Sequence, residues 1–315
     1  MSLPSFVQAL LGQSLSGLTL QSLAPFGRRS RLLAPFGEFQ AAPESAAPDF
    51  AAVPSVTKLW SSARLRLTDA LWGDGYQMPG GEPELLRLAK PLGLSDASSV
   101  LMIGVGSGGA PVSVAANLGA WITGFETDPD LAEAARSRAA MSKAKRRIKI
   151  ESWNPATPAF PEKYFNHCIA LEPLGGHAAE PILAALADAL KSGGQLMMTG
   201  FVIGEDAAAA DPGILRWEQL EQRHCDTPRH EVTITRVLGR LGFDVRVVED
   251  VSGRHLHQAV IGWRRLLRGM EHERPAPPEA AQLVREAEMW LTRHRLMRDG
   301  RLRLMRWHAL GRGTH

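Results

Sequence analysis

The chain has 315 residues, 44% of them hydrophobic, a formal net charge of +3 and two cysteines. That length can bury a substantial core, and the composition excludes collagen-like and wholly disordered classes. No apolar run approaches the ~20 residues of a membrane-spanning helix, and Cys168 and Cys225 give neither a disulfide framework nor metal-ligand spacing, so a soluble protein of the reducing cytoplasm is expected.

Residues 1–56 read as a tail rich in Ser, Pro and Ala, and the first 37 carry Arg28, Arg29 and Arg31 but no acid. Leu23-Ala24-Pro25-Phe26-Gly27 recurs as Leu33-Ala34-Pro35-Phe36-Gly37, and two copies do not make a repeat architecture. Val7, Leu10, Leu11, Leu15 and Leu18 share a helical face, which makes residues 1–37 a candidate contact for a membrane surface or a partner protein. From about Val56 the pattern is regular. Leu59–Leu71 and Pro83–Ala89 predict helices of a cap over residues 57–95, and strands are predicted near 99–104, 120–126, 147–151, 166–172, 195–201, 243–249 and 302–309. Helical patterns between them predict a doubly wound α/β sheet with right-handed crossovers over residues 96–315. An insert at 253–300, helical over Ala280–Leu296, precedes the last strand.

The most informative stretch is Val100-Leu101-Met102-Ile103-Gly104-Val105-Gly106-Ser107-Gly108-Gly109, followed by a strand that ends at Glu126. A turn almost without side chains lets backbone N–H groups approach an adenosyl cofactor, and a carboxylate after the next strand can hold two ribose hydroxyls. Gly104, Gly106 and Gly109 satisfy the G-x-G-x-x-G dinucleotide pattern, and the same residues read equally as Gly104-x-Gly106-x-Gly108.

Downstream come Trp153-Asn154-Pro155-Ala156-Thr157-Pro158-Ala159-Phe160, Phe165 to Pro173, and Leu190-Lys191-Ser192-Gly193-Gly194. In that order they resemble the class I S-adenosylmethionine-dependent methyltransferases. Upstream, Leu71-Trp72-Gly73-Asp74-Gly75-Tyr76-Gln77-Met78-Pro79-Gly80-Gly81 resembles the lead-in of small-molecule N-methyltransferases of the phosphoethanolamine and sarcosine/dimethylglycine type. The likeness runs over residues 57–310. It implies a Rossmann-like seven-stranded sheet with an antiparallel last strand, and S-adenosylmethionine as cofactor. Gly104, Gly106, Gly108, Glu126, Asn154 and Glu172 then fall at cofactor positions, Tyr76 at a lid that closes over cofactor and substrate, and His177 at a histidine many relatives carry. The chain departs from the family pattern at Met102, Asn154 and Asn166, where acids are usual.

Because the sulfonium already activates the methyl group, methyl transfer needs in-line positioning and removal of a proton when the nucleophile carries one. A base is sought at the carboxyl ends of the strands, where Glu172 and His177 lie, with Tyr76 and His177 as the catalytic candidates. Asp250, Arg254, His255 and His257 follow the sixth strand. Trp72, Arg254 and His255 are assigned to the substrate, with Arg254 able to hold an anionic group. His224 and His230 lack the spacing of a zinc site, so no metal is expected. Residues 263–315 hold twelve arginines against six acids, which suits an anionic ligand, an acidic partner or a membrane surface. No nucleic-acid signature accompanies them. Methylation of a small molecule at nitrogen, oxygen or an activated carbon is the leading reading. A weakly active or inactive methyltransferase-like protein acting as a binding or assembly component is the alternative, and a nucleotide-dependent oxidoreductase is a third.

Overall fold

Seven strands form one sheet in the order β3-β2-β1-β4-β5-β7-β6. They are β1 Ser99–Ile103, β2 Trp121–Glu126, β3 Ile148–Ser152, β4 Phe165–Leu171, β5 Leu190–Ile203, β6 Phe243–Asp250 and β7 Leu302–Gly311. The computed structural model describes residues 58–204, 207, 211–223, 230–270 and 276–311. The tail expected over 1–56, with its amphipathic face and repeated pentapeptide, lies outside the described residues, as do His224 and Cys225. The first five strands pair in parallel, whereas β7 is antiparallel to both β5 and β6. This order differs from the 3-2-1-4-5-6 order of dinucleotide-binding sheets, which weakens the oxidoreductase reading.

Nine helices are described, and local chemistry sets several of their ends. Ser61 caps α1, Ser62–Trp72, by accepting from the Arg64 N–H, so the helix starts three residues later than its apolar period suggested. α2 is Gly81–Ala89 and α3 Gly109–Leu118. Asp128 and Pro129 start α4, Pro129–Met141, while α5 is Ala179–Ala189. Asp211 and Pro212 start α6, Pro212–Glu221, with the Asp211 carboxylate accepting from the Gly213 and Ile214 N–H groups. α7 spans Glu231–Arg240, and the insert holds α8, Ser252–Gly269, and α9, Pro277–Arg298. β5 begins at Leu190 rather than near 195, because Leu190 pairs with Phe165 before a register irregularity.

One face of the sheet, including Leu101, Ile103, Cys168, Ala170, Leu196, Met198 and Trp307, packs against Ile182, Leu183 and Leu186 of α5 and Ile234, Val237 and Leu238 of α7. A second cluster joins Phe201 of β5, Trp217 of α6, Leu296 of α9 and Leu304 of β7 at the carboxyl end of β5. Asn166, where the family usually has an acid, accepts from the N–H and hydroxyl of Ser99 and so ties β4 to β1. No helix among the described residues is long and apolar enough to cross a membrane.

Candidate active site

Between β1 and α3 the chain turns through Gly104, Gly106 and Gly108, at φ of 72°, 57° and 97°. At Gly104 a Cβ would stand 2.1 Å from the Leu171 carbonyl oxygen, so the turn can lie against the end of β4 only without a side chain. Met102, in the usual acid's place, is fully buried in β1. Glu126 ends β2 beside the turn and is 6% exposed. Its Oε2 accepts from the Gly106 N–H at 2.8 Å, and its Oε1 accepts from the Thr127 and Asp128 N–H groups at 2.8 and 3.3 Å. Burial pushes the carboxyl up, and these backbone donors partly offset the rise. Asn154 follows β3 on the surface, with its Oδ1 accepting from the Ala156 N–H.

The segment Gly73–Gly81 straps across this turn. The Gly75 carbonyl accepts from the Gly109 N–H at 2.9 Å, and the Gly75 N–H donates to Asp69 at 2.7 Å. The Gln77 amide donates to the Ser107 hydroxyl at 2.7 Å and accepts from the Ser107 N–H at 2.9 Å. Arg138 joins the strap to the turn through the Ser107 carbonyl and Asp69. The Tyr76 hydroxyl lies 2.6 Å from the Ser113 hydroxyl and 3.2 Å from the Gly109 carbonyl, and Ser113 in turn donates to Glu82. Burial pushes the phenol up to about 12. It therefore stays protonated and fastens the strap to α3, a geometry that does not present it as a base.

Glu172 and His177 share the turn after β4. Glu172 has a left-handed φ of 55°, uncommon for a residue with a side chain. Its N–H donates to the Thr199 carbonyl of β5, and its Oε1 lies 4.0 Å from where a Cβ on Gly200 would stand. The carboxylate thus lies over β5, and its Oε2 accepts from Arg223 at 2.9 Å. His177 is half-buried, its N–H donating to the Leu174 carbonyl.

Arg223 opens a buried network unseen in the sequence. Glu221 accepts from Arg223 Nε at 2.7 Å and from Arg293 Nε and Nη2 at 2.9 and 2.5 Å, and the Trp217 indole donates to it as well. Although burial alone would raise it, the two guanidinium groups hold the Glu221 carboxyl down to about 2. Arg223 lies over the rings of Trp217 and Phe201, and Arg293 over Phe201 and Trp290. The only sequence signal was helical spacing: Trp217 and Glu221 stand i,i+4 on α6, and Trp290 and Arg293 i,i+3 on α9.

His255 joins this network, with its ring between Phe201 and Trp290 at centroid distances of 5.8 and 5.5 Å. Trp72 also packs against Trp290, with ring centroids 4.9 Å apart and the planes tilted by 56°. Arg254 does not join them: one residue along α8 it points elsewhere, donating at 2.5 Å to Glu84, which also binds Arg87. Arg254 therefore fastens α8 to α2, and the anion-binding role expected of it has no geometric support. Among the described residues, no group of three His, Cys, Asp or Glu side chains could hold a metal ion.

Burial pushes His255 down to about 3, with Arg293 adding to the effect and Glu221 opposing it. Below pH 6.5 the unfolded chain takes up a proton that folded His255 refuses, so stability falls by about 1.4 kcal/mol per pH unit. Urea titrations at pH 7 and pH 5 should differ by about 2 kcal/mol from this group, and His255→Leu should remove that share. A smaller slope should persist, since His167, His294 and His308 are displaced in the same direction.

No protein-family model and no curated protein matches the chain. Among solved structures it is similar to phosphoethanolamine N-methyltransferase 2 of Haemonchus contortus in complex with S-adenosyl-L-methionine, with a TM-score of 0.68 and 18% identity over 79% of this chain and 56% of that one. The chain thus spans little more than half the length of that enzyme. It is also similar to geranyl diphosphate C-methyltransferase of Streptomyces coelicolor, with a TM-score of 0.61 and 12% identity over 79% of this chain and 92% of that one. A third is the cyclase SpnF, with a TM-score of 0.60 and 18% identity over 80% and 93%. What the chain shares with them is the Rossmann-like fold of the class I methyltransferases.

Proposed function

We propose that this chain is an S-adenosylmethionine-dependent methyltransferase acting on a small-molecule acceptor. The observation that carries the reading is the pairing of a side-chain-free turn with a buried carboxylate at the end of the next strand. Gly104, Gly106 and Gly108 let the backbone turn tightly against Leu171, Gln77 and Ala135, which would bring its N–H groups to the cofactor, and Glu126, with lone pairs to spare, would accept from the ribose hydroxyls. Asn154 would meet the adenine through its amide. Bound there, the cofactor supplies a methyl group on sulfonium, and the protein's share of the work is to orient the acceptor and take its proton. Glu172 and His177, on the turn after β4, stand where open α/β sheets bind ligands and are the groups to take that proton. Tyr76 holds the strap that covers the turn. Solved neighbours bind S-adenosyl-L-methionine or S-adenosylhomocysteine with small acceptors, which supports the same class here, while the cyclase among them shows that this fold alone does not fix the reaction.

Calorimetric titration tests the reading. S-adenosylmethionine should bind and NAD should not, and Glu126→Ala should weaken binding about tenfold or more, as expected for lost charged-acceptor hydrogen bonds. Absence of binding to the wild-type chain would overturn it.

A further inference from the structure

The N–H groups of the glycine turn are bonded inside the chain: Gly104 to the Phe125 carbonyl, Gly106 to Glu126, Gly108 to the Val105 carbonyl and Gly109 to the Gly75 carbonyl. Those acceptors are backbone atoms or a buried carboxylate, fixed in place. Ser107 differs in kind. Its N–H donates at 2.9 Å to Gln77 Oε1 and its hydroxyl accepts at 2.7 Å from Gln77 Nε2, so one rotatable side chain occupies both groups. The amide lies on the turn itself, since a Cβ on Gly106 would overlap Gln77 Oε1 and stand 2.8 Å from its Cδ. The space that Gly106 leaves by having no side chain is therefore filled by Gln77.

The strap on either side of this amide is pinned. Gly75 is tied through both its N–H and its carbonyl, and the buried Tyr76 is bonded to Ser113 and Gly109. Gln77 is half-buried, so its side chain can turn to solvent about its own torsions while the strap stays fastened. Ser107, 2% exposed, cannot follow, and its buried N–H then needs another acceptor. A carboxylate has the planar outline of the amide but two acceptor oxygens: one takes the Ser107 N–H, the other the Ser107 hydroxyl, which can donate as well as accept. Arg138, donating to the Ser107 carbonyl and shared with Asp69, adds a cation beside it. The Glu126 carboxylate on the neighbouring Gly106 N–H disfavours a bare anion, so the fitting group is a carboxylate that carries its own cation, as an α-amino acid does.

We infer that the Gln77 amide is a tethered occupant of the seat for the amino-acid end of S-adenosylmethionine, and that Ser107 binds that carboxylate through its N–H and hydroxyl once the amide swings away. The inference rests on the methyl-transfer reading above, and adds to it a binding residue and a competition between chain and cofactor for the same two groups. Two hydrogen bonds of ordinary net strength favour the seated amide about tenfold, and cofactor affinity is reduced by about the same factor because only the open form binds.

The test is calorimetry on the full chain with two probes: S-adenosylhomocysteine, which has the amino-acid end, and 5′-methylthioadenosine, which keeps adenine, ribose and sulfur but lacks it. Gln77→Ala should tighten S-adenosylhomocysteine about tenfold and leave 5′-methylthioadenosine within about twofold. Gln77→Glu, whose tethered carboxylate competes for the same two groups, should weaken S-adenosylhomocysteine about tenfold, again with 5′-methylthioadenosine unmoved. Unchanged or weaker binding of S-adenosylhomocysteine to Gln77→Ala would overturn the inference, because the amide would then be idle or would itself hold the cofactor. Equal tightening of both probes would overturn it too, as a general loosening of the strap. Binding of 5′-methylthioadenosine without S-adenosylhomocysteine would overturn the Ser107 seat and leave the nucleoside site standing, whereas binding of neither probe to any form would overturn the methyltransferase reading and the inference with it.

Discussion

Glu221→Ala is expected to lower the free energy of unfolding by about 3–5 kcal/mol, the range found when one partner of a buried ion pair is removed. Both Glu221 oxygens are in use, and Arg293, 8% exposed, has Glu221 as its carboxylate partner. Without it, Arg293 would lose its carboxylate while lying over the same Phe201 ring as Arg223, which keeps only Glu172. For a chain of this size each kcal/mol moves the melting temperature by roughly 2–4 °C, so a fall of about 10 °C should appear in a thermal melt. Joint replacement of Glu221 by Leu and Arg293 by Met should recover much of the loss, since an apolar pair of similar volume leaves no charge stranded. A loss under about 1 kcal/mol would be that of an exposed pair and would mean the network is wet.

Gly104→Ala should be as severe and should also abolish cofactor binding. The new methyl group would overlap the Leu171 carbonyl, a backbone atom that cannot swing aside. The left-handed φ of 72° adds strain for any residue with a Cβ. Strain of about 1–3 kcal/mol and overpacking of about 1–3 kcal/mol together put the loss near 4 kcal/mol. Relief requires the turn to move away from β4, which would displace Gly106 from Glu126. Urea denaturation and calorimetry with S-adenosylmethionine on one preparation check both effects. A variant that melts like wild type and binds normally would show that the turn has slack the structure does not display.

These effects also separate what the sequence could reveal from what it could not. The glycine turn and Glu126 were legible because a backbone in left-handed geometry needs glycine, and the acid follows within one strand. The seven strands were legible through apolar runs and their spacing. The buried network around Glu221 was not, because its members meet only through tertiary packing: Glu221 and Arg293 are 72 residues apart, and Arg223 and Glu172 are 51 apart. Arg254 and His255 were read as one cluster because they are adjacent, yet neighbours on a helix point about 100° apart, so one is buried among aromatic rings and the other pairs with Glu84. Tyr76 was recognised by resemblance, and its hydroxyl proved to be spent on α3. The arginine-rich stretch 263–315 suggested a face for an anionic ligand, an acidic partner or a membrane surface, whereas Arg293 and Arg306 are buried and paired with Glu221 and Glu249.

The position of β7 bears on how the molecule is assembled during synthesis. Of the seven strands it is made last, yet it lies inside the sheet and hydrogen-bonds to β5 on one side and β6 on the other. Until Leu302–Gly311 leaves the ribosome, β6 has no neighbour and the long edge of β5 stays open, with Leu196, Met198 and Val202 near it uncovered by their final partners. Such an edge templates pairing with other chains, so a nascent molecule is exposed to aggregation from the completion of β5 to that of β7, and a truncated one permanently. Closure is a single late event that joins β6 to the five parallel strands.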